Sequence, residues 1–310
     1  MLDIQSRCNC RCIMCDIWKQ TESRHMTAGF VRGQLDDLRR LRVEWAVLTG
    51  GEPLMNGDVF EICRLLRAQG IRVTILTSGL LVGRYAVQIV DHVDDLIVSL
   101  DGPEAVHDRI RGVPGCFSQL ADGIRSLRRA DKAYRISGRC TVQRSNHDRL
   151  TDTVETAEAL ELSSISFLAA DIQSPAFNRP EGWDALRRER VTLDRPQVPV
   201  LADQVSQLIA GRTATLADTD DHLNRIVDIF RSYAGLAEAR APRCNAPWVS
   251  AVLDSAGAVS PCFFHRPFAD ASGIGLAPAL NAPAALRFRT TLDVAADETC
   301  KSCVCSLNRQ

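Results

Sequence analysis

The chain has 310 residues, 45% of them hydrophobic and 24% charged, with a formal net charge of −1. That composition is ample for a packed core and excludes global disorder, and it lacks the basic face that binding a nucleic-acid backbone requires. No apolar run approaches the ~20 residues that span a bilayer, and residues 1–6 are too short and polar for a signal peptide, so a cytoplasmic protein with no membrane partner is expected. Taken in chain order, residues 2–5 read as a short strand running into Cys8, Cys10, Cys12 and Cys15. Residues 28–41 have helical spacing, 44–49 form a strand ending in Gly50-Gly51-Glu52-Pro53, and 58–69 form a helix stopped by Gly70. A strand at 71–77 turns at Ser78-Gly79, a helix follows at 81–90, and a strand at 95–100 ends in Asp101-Gly102-Pro103. Residues 117–130 are a strongly amphipathic helix, 134–142 a strand, 148–160 a helix and 164–169 a sixth strand.

Six strand–helix repeats predict an α/β fold with a parallel sheet and outer helices, and right-handed crossovers curl it into a partial (βα)6 TIM-like barrel. The glycine and acidic turns fall at the strand C-terminal ends, the edge on which such folds place their sites. The rhythm breaks near Asp171, so three stretches are expected: a barrel over 1–170, a connecting helical or irregular segment over 171–243, and a small C-terminal unit over 244–310. In the connecting stretch, 205–210 and 222–233 read as helices. Arg187, Arg188 and Arg190 read as a solvated face, or one of them as meeting an anionic substrate group.

Twelve cysteines in a chain with no export signal point to metal or redox chemistry. Cys8, Cys12 and Cys15 stand at CxxxCxxC spacing. Three thiols in eight residues after a strand suit three irons of a 4Fe–4S cube and leave the fourth iron open to a substrate or cofactor. Cys10 fits no ligand position and reads as a small hydrophobe.

The run Arg7-Cys8-Asn9-Cys10-Arg11-Cys12-Ile13-Met14-Cys15 resembles the signature of radical S-adenosylmethionine (SAM) enzymes, and Gly50-Gly51-Glu52-Pro53 resembles their GGEP motif. The resemblance implies a SAM-binding 4Fe–4S cluster whose open iron chelates the amino and carboxylate groups of SAM. It implies that the backbone of Gly50, Gly51, Glu52 and Pro53, with the Glu52 carboxylate, holds the methionine ammonium. Thr77-Ser78-Gly79 and the segment ending Ser99-Leu100-Asp101 resemble the family's third and fourth strand ends. Ser78 is thus expected at the cofactor, with Ser99 and Asp101 toward the SAM ribose, Arg139 on its carboxylate and Met14 on the adenine. An electron donor such as flavodoxin or ferredoxin is implied as a partner.

Cys244, Gly257 and Cys262 match the CX9–15GX4C half-motif of the SPASM/Twitch extensions of that family, and Cys300 and Cys303 supply a CxxC. A hairpin over 248–262 would bring Cys244 near Cys262. Cys244, Cys262, Cys300 and Cys303 are the expected ligands of one auxiliary 4Fe–4S cluster, with Cys305 as an alternative ligand for either member of the pair. A zinc ion suits four thiolates equally well. Cys63 and Cys140 read as inert core thiols. Cys116, in a loop beyond the fourth strand, reads as an ordinary thiol or as a hydrogen-atom donor. His25, His107 and His265 stand at metal spacing to nothing.

The expected activity is reductive cleavage of SAM to a 5′-deoxyadenosyl radical, which abstracts hydrogen from a small-molecule substrate, a sugar or aminocyclitol precursor, giving oxidation or epimerisation. Cys8 lies almost at the start, leaving no room for an N-terminal leader-recognition domain, which favours a small substrate over a peptide. Modification of a ribosomally made peptide, and a metal-stabilised scaffold without catalysis, are the alternatives.

Overall fold

The computed structural model describes residues 1–309. Its barrel strands are β1 (Leu2–Gln5), β2 (Trp45–Gly50), β3 (Arg72–Thr77), β4 (Asp95–Ser99), β5 (Ile136–Val142) and β6 (Ser164–Ala169), all parallel and adjacent in chain order. Between them run α1 (Ala28–Arg40), α2 (Val59–Arg67), α3 (Ala86–His92), α4 (Glu104–Arg111), α5 (Cys116–Ala130) and α6 (Leu150–Ala159). Local chemistry sets these bounds. The Thr27 hydroxyl caps α1 by accepting from Phe30 N at 3.1 Å, and α4 stops where Gly112 adopts φ 65°. Ile62, Leu66, Ile75 and Leu96 are fully buried between helices and sheet, each worth roughly 1.5–3 kcal/mol of transfer free energy.

Period-two alternation divides the two faces of the later strands. On β5, Ile136, Gly138, Cys140 and Val142 are buried, while Ser137, Arg139 and Thr141 face the partly open interior. Ser164, Ser166 and Leu168 do the same on β6. The interior near these strands is therefore polar.

After β6 come α7 (Ala185–Glu189), α8 (Gln197–Ala210) and α9 (Asp220–Tyr233). Residues 213–218 lie beside β6, where the Asp218 carboxylate accepts from Phe167 N and Leu216 bridges Ile165. The C-terminal unit holds α10 (Ala246–Val249), β7 (Val252–Asp254), β8 (Ala258–Ser260), β9 (Ala269–Asp270), α11 (Leu276–Leu280), α12 (Pro283–Thr291) and α13 (Glu298–Lys301). β7 pairs in parallel with β1, Leu2 beside Leu253 and Asp3 beside Asp254, while β8 and β9 follow antiparallel. One nine-stranded sheet results, in the order β6-β5-β4-β3-β2-β1-β7-β8-β9. The hairpin forms, but its first arm starts at Val252, because residues 246–249 take a helical turn with Pro247 near its start. Its turn needs Gly257 at φ 90°, where a Cβ would fall 2.0 Å from Ser272 Oγ. Among the described residues no helix is long and apolar enough to cross a membrane.

Candidate active site

The cysteine loop leaves the end of β1 and is pinned from two sides. Toward α4, Arg11 N donates to Arg111 O at 2.9 Å and Ile13 N to Ile110 O at 3.0 Å. Toward the β2 turn, Gly51 N donates to Gln5 O at 2.6 Å and Glu52 N to Arg7 O at 2.9 Å. Both contacts need glycine: a Cβ on Gly51 would stand 2.1 Å from Arg7 O, and one on Gly112 2.6 Å from Arg11 O. Within the loop, backbone N–H groups point at sulfur, Cys10 N at Cys8 Sγ (3.4 Å) and Ile17 N at Cys15 Sγ (3.5 Å). The Arg111 guanidinium stands 3.7 Å from Cys12 Sγ. The Cys10 thiol, working against burial, and then Arg111 draw the Cys12 thiol down to about 7. Three thiols with donors aimed at their sulfurs are a donor set that fits an iron–sulfur cluster.

Glu52 stands just past the end of β2, beside the cysteine loop, as the motif implies, but its side chain turns inward. Its carboxylate is fully buried, with Oε1 accepting from Leu54 N (3.1 Å) and Thr77 Oγ1 (2.8 Å) and Oε2 from Ser78 N (2.8 Å) and Ser78 Oγ (2.6 Å). Burial raises its pKa while those donors oppose the rise. The carboxylate thus ties the β2 turn to the end of β3 and is closed to a ligand's ammonium. Ser78 is spent on the same bond and also reaches Asn9 Oδ1 at 3.2 Å. Pro53 is buried, whereas Gly50 and Gly51 are partly exposed, so the surface this motif offers is backbone.

Asp101 also departs from expectation. It is fully buried, its Oδ1 accepts from Thr141 N at 3.0 Å, and its Oδ2 lies 2.7 Å from Arg111 Nε. It therefore lies behind the site, holding the arginine that faces Cys12, and cannot touch a ribose. Its backbone N–H donates to His107 Nδ1 at 3.2 Å, which leaves the ring proton on Nε2, 3.5 Å from Cys116 Sγ. Cys116 is the first residue of α5, not a loop residue. It is fully buried against Cys10 and Cys12, which removes it as a hydrogen donor to a substrate in the barrel. Ser99 and Arg139 are register partners facing the interior, and Arg139 Nε donates to Ser166 Oγ at 2.8 Å. Met14 packs between the buried cysteines and the Trp183 cluster.

Sequence reasoning missed the clamp on the far end of the loop. Asp16 accepts from Trp183 Nε1 at 2.6 Å and pairs with Lys19 (2.8 Å) and Arg187 (3.2 Å). Its backbone N–H donates to Phe177 O at 3.2 Å and its carbonyl accepts from Asn178 Nδ2 at 3.0 Å. Phe177 and Asn178 hold φ of 59° and 63°, an uncommon pair of left-handed residues, and the Phe177 ring rests 5.4 Å from that of Phe263. Arg187 thus faces inward and does not belong to a solvated face.

In the C-terminal unit Cys244, Cys262, Cys300 and Cys303 line one small cavity. Cys244 enters from before α10, Cys262 from after β8, and the other two from α13 and its end. Ala246 N points at Cys244 Sγ (3.5 Å), and Asp297 caps α13 by accepting from Cys300 N at 2.9 Å. Cys305 is not part of that lining. Burial pushes the Cys300 thiol up to about 12, so a metal group entering here displaces protons. Four convergent thiols fit a fully ligated cluster. His265, expected to have no metal partner, lies with its Nε2 3.5 Å from Cys300 Sγ.

Three thiols on one loop at a strand end and four converging in an appended unit are donor sets that suit two iron–sulfur clusters, the first with an iron left open to a cofactor. The radical SAM superfamily model matches residues 2–157, half of the chain, and an iron–sulfur cluster-binding domain model matches 244–304. The chain belongs to the radical SAM superfamily, with SAM, a SAM-binding 4Fe–4S cluster and auxiliary iron–sulfur as its cofactors. It is 32% identical over 170 residues to the AdoMet-dependent heme synthase of Methanosarcina barkeri, which covers 53% of this chain and 48% of that protein. The chain thus spans about half the length of that relative. It is 24% identical over 272 residues to the PqqA peptide cyclase of Rhodopseudomonas palustris, covering 84% of this chain and 66% of that protein. Among solved structures, Streptococcus suis SuiB bound to S-adenosylmethionine superposes with a TM-score of 0.69 at 15% identity, covering 99% of this chain and 72% of that one.

Proposed function

We propose that this radical SAM enzyme oxidatively modifies a peptide. The observation that carries the reading is a cleft of about 1040 Å³ that abuts the four-thiol cavity and shares Phe264, His265 and Thr299 with it. Its walls are Pro175 and Pro180 of the connecting segment and Phe264, Arg266, Phe268 and Phe288 of the C-terminal unit. The volume stands at the top of the range for small-molecule pockets, ~300–1,000 Å³, and suits an extended substrate. The likeness to a peptide cyclase over both units, and to SuiB, another of whose structures is bound to a precursor peptide, supports it.

SAM and its cluster supply, when bound, a 5′-deoxyadenosyl radical able to abstract hydrogen. In this reading Cys8, Cys12 and Cys15 hold the first cluster, and Arg111, fixed by Asp101, stabilises charge on the Cys12 sulfur. The exposed backbone of Gly50 and Gly51 receives the methionine ammonium in place of the Glu52 side chain. Ser99 and Arg139 orient SAM from the polar interior, and Met14 borders its adenine. Cys244, Cys262, Cys300 and Cys303 hold the auxiliary cluster, which favours oxidation over epimerisation because it can accept a substrate electron. Reduced flavodoxin or ferredoxin is the proposed donor.

The test is anaerobic turnover with reduced flavodoxin, SAM and a set of unrelated peptides, followed by mass spectrometry. The expected result is loss of H2 from a peptide for each 5′-deoxyadenosine formed. Unchanged peptides, with 5′-deoxyadenosine formation coupled instead to a sugar or aminocyclitol, would replace this reading with the smaller substrate.

A further inference from the structure

His265 separates the two spaces of the C-terminal unit, lining both the broad cleft and the four-thiol cavity. Its side chain is only 10% exposed, and Phe288 meets the ring edge-on at 5.0 Å. Nε2 stands 3.5 Å from Cys300 Sγ and 3.6 Å from Asp297 Oδ1, while Asp297 holds the Cys300 backbone through its N–H at 2.9 Å. A metal-bound thiolate carries no proton, so a hydrogen bond across the 3.5 Å gap needs the imidazole as donor, with its N–H on Nε2. Among the described residues His265 is the side chain that reaches one of these four sulfurs as a donor.

We propose that His265 donates its Nε2–H to the Cys300 sulfur of the auxiliary cluster and raises that cluster's reduction potential. The inference rests on Cys300 being a cluster ligand. Reduction adds negative charge to the cluster and its thiolates, and a fixed N–H donor stabilises that charge more in the reduced state than in the oxidised one. His265 is a positioning residue: it acts through Cys300 and Asp297, and it gives any occupant of the cleft a wall one hydrogen bond away from the cluster. The ring belongs to this chain's own Cys262-Phe263-Phe264-His265 run, so the cluster's potential is set by the same segment that supplies a ligand.

The test is an EPR-monitored redox titration of the anaerobically purified, cluster-loaded protein, in which the auxiliary signal is the one that added SAM leaves unmoved. His265→Phe keeps a ring and removes the donor, while His265→Gln retains an N–H. The expected result is unchanged iron content and, for His265→Phe, about a tenfold lower ratio of reduced to oxidised auxiliary cluster at fixed potential. For a one-electron couple that is a midpoint about 59 mV more negative. His265→Gln recovers most of the shift. An unchanged midpoint in His265→Phe overturns the proposal. Loss of about four irons in both variants also overturns it, by making the imidazole a ligand. A zinc ion bound by the unaltered chain and lost with His265 does so too, because His265, Asp297 and Cys300 offer atoms within 4.8 Å of one another and would then form a mononuclear site. No auxiliary signal in the unaltered chain overturns this proposal together with the cluster assignment beneath it.

Discussion

Glu52→Gln separates a structural carboxylate from a ligand-binding one. The carboxylate accepts four hydrogen bonds in a site with no exposure. In the amide, the oxygen serves one side of the pair and the NH2 the other. Facing Ser78, the oxygen keeps the backbone N–H and the hydroxyl. The NH2 then opposes Leu54 N–H, which cannot turn, and the Thr77 hydroxyl, which can. The substitution weakens the bonds that the charge strengthened and sets one amide N–H against the Leu54 N–H, leaving both without an acceptor. Hydrogen bonds to a charged group contribute about 1.5–3 kcal/mol and an unsatisfied buried donor costs about 1–3 kcal/mol, so a loss of roughly 3–5 kcal/mol is expected. At about 2–4 °C per kcal/mol, the thermal midpoint falls by roughly 10 °C. Circular dichroism on the anaerobic protein reads the midpoint, and calorimetric titration at low temperature reads SAM affinity, which should change less than about tenfold, the loss that 1.4 kcal/mol brings. An unmoved midpoint with a hundredfold loss of SAM affinity would refute the reasoning, since it requires the carboxylate to touch the ligand.

Cys12→Ala removes one of three thiols, so iron content should drop by about four per chain and 5′-deoxyadenosine should not form; turnover surviving in this variant rejects the first site. Burial, with Asp254 alongside, pushes Asp3 up to about 7, so the folded chain holds a proton there that the unfolded chain, near 3.8, has released. That stability is present below about pH 4 and is lost as pH rises to about 7; Asp3→Asn should abolish a fall of roughly 2–4 kcal/mol, read from urea midpoints at several pH values. Cys116→Ala should keep both 5′-deoxyadenosine and product formation, because the thiol never reaches the interior. Loss of product alone, with solvent deuterium entering product in the unaltered enzyme, would restore it as a hydrogen donor.

The six barrel strands were legible to within one or two residues, because each is a short apolar or alternating run, and β2, β3 and β4 run into glycine-bearing turns. The helix Glu104–Arg111 was not: in eight residues only Val106 and Ile110 are large apolar side chains, too few to mark it by themselves, though Pro103 and Gly112 bracket it. Its loss hid Arg111, and without Arg111 nothing in the sequence tells that Asp101 looks inward. Spacing sufficed to say which cysteines come together, whereas Glu52 and Ser78 were expected to face a ligand and instead bond each other; spacing finds motifs but does not say which of their atoms remain free. Arg187 and His265 were passed over for a related reason. Their partners, Asp16 and Cys300, lie 171 and 35 residues away, and only the folded chain brings them near.

The pairing of β1 with β7 has a consequence for the order in which the molecule is built. β1 carries the first cysteines and lies between β2 and β7, yet Leu253 meets Leu2 across 251 positions of chain. During synthesis the ligands that emerge first are thus among the last to be fixed, since the strand that launches their loop gains its second neighbour only after nearly the whole chain has appeared. Such long-range closure is slow compared with the local strand–helix steps. Iron loading of the first site should accordingly trail translation and be the maturation step most sensitive to truncation, with a chain cut before Val252 leaving β1 as an open edge ready to pair with other copies.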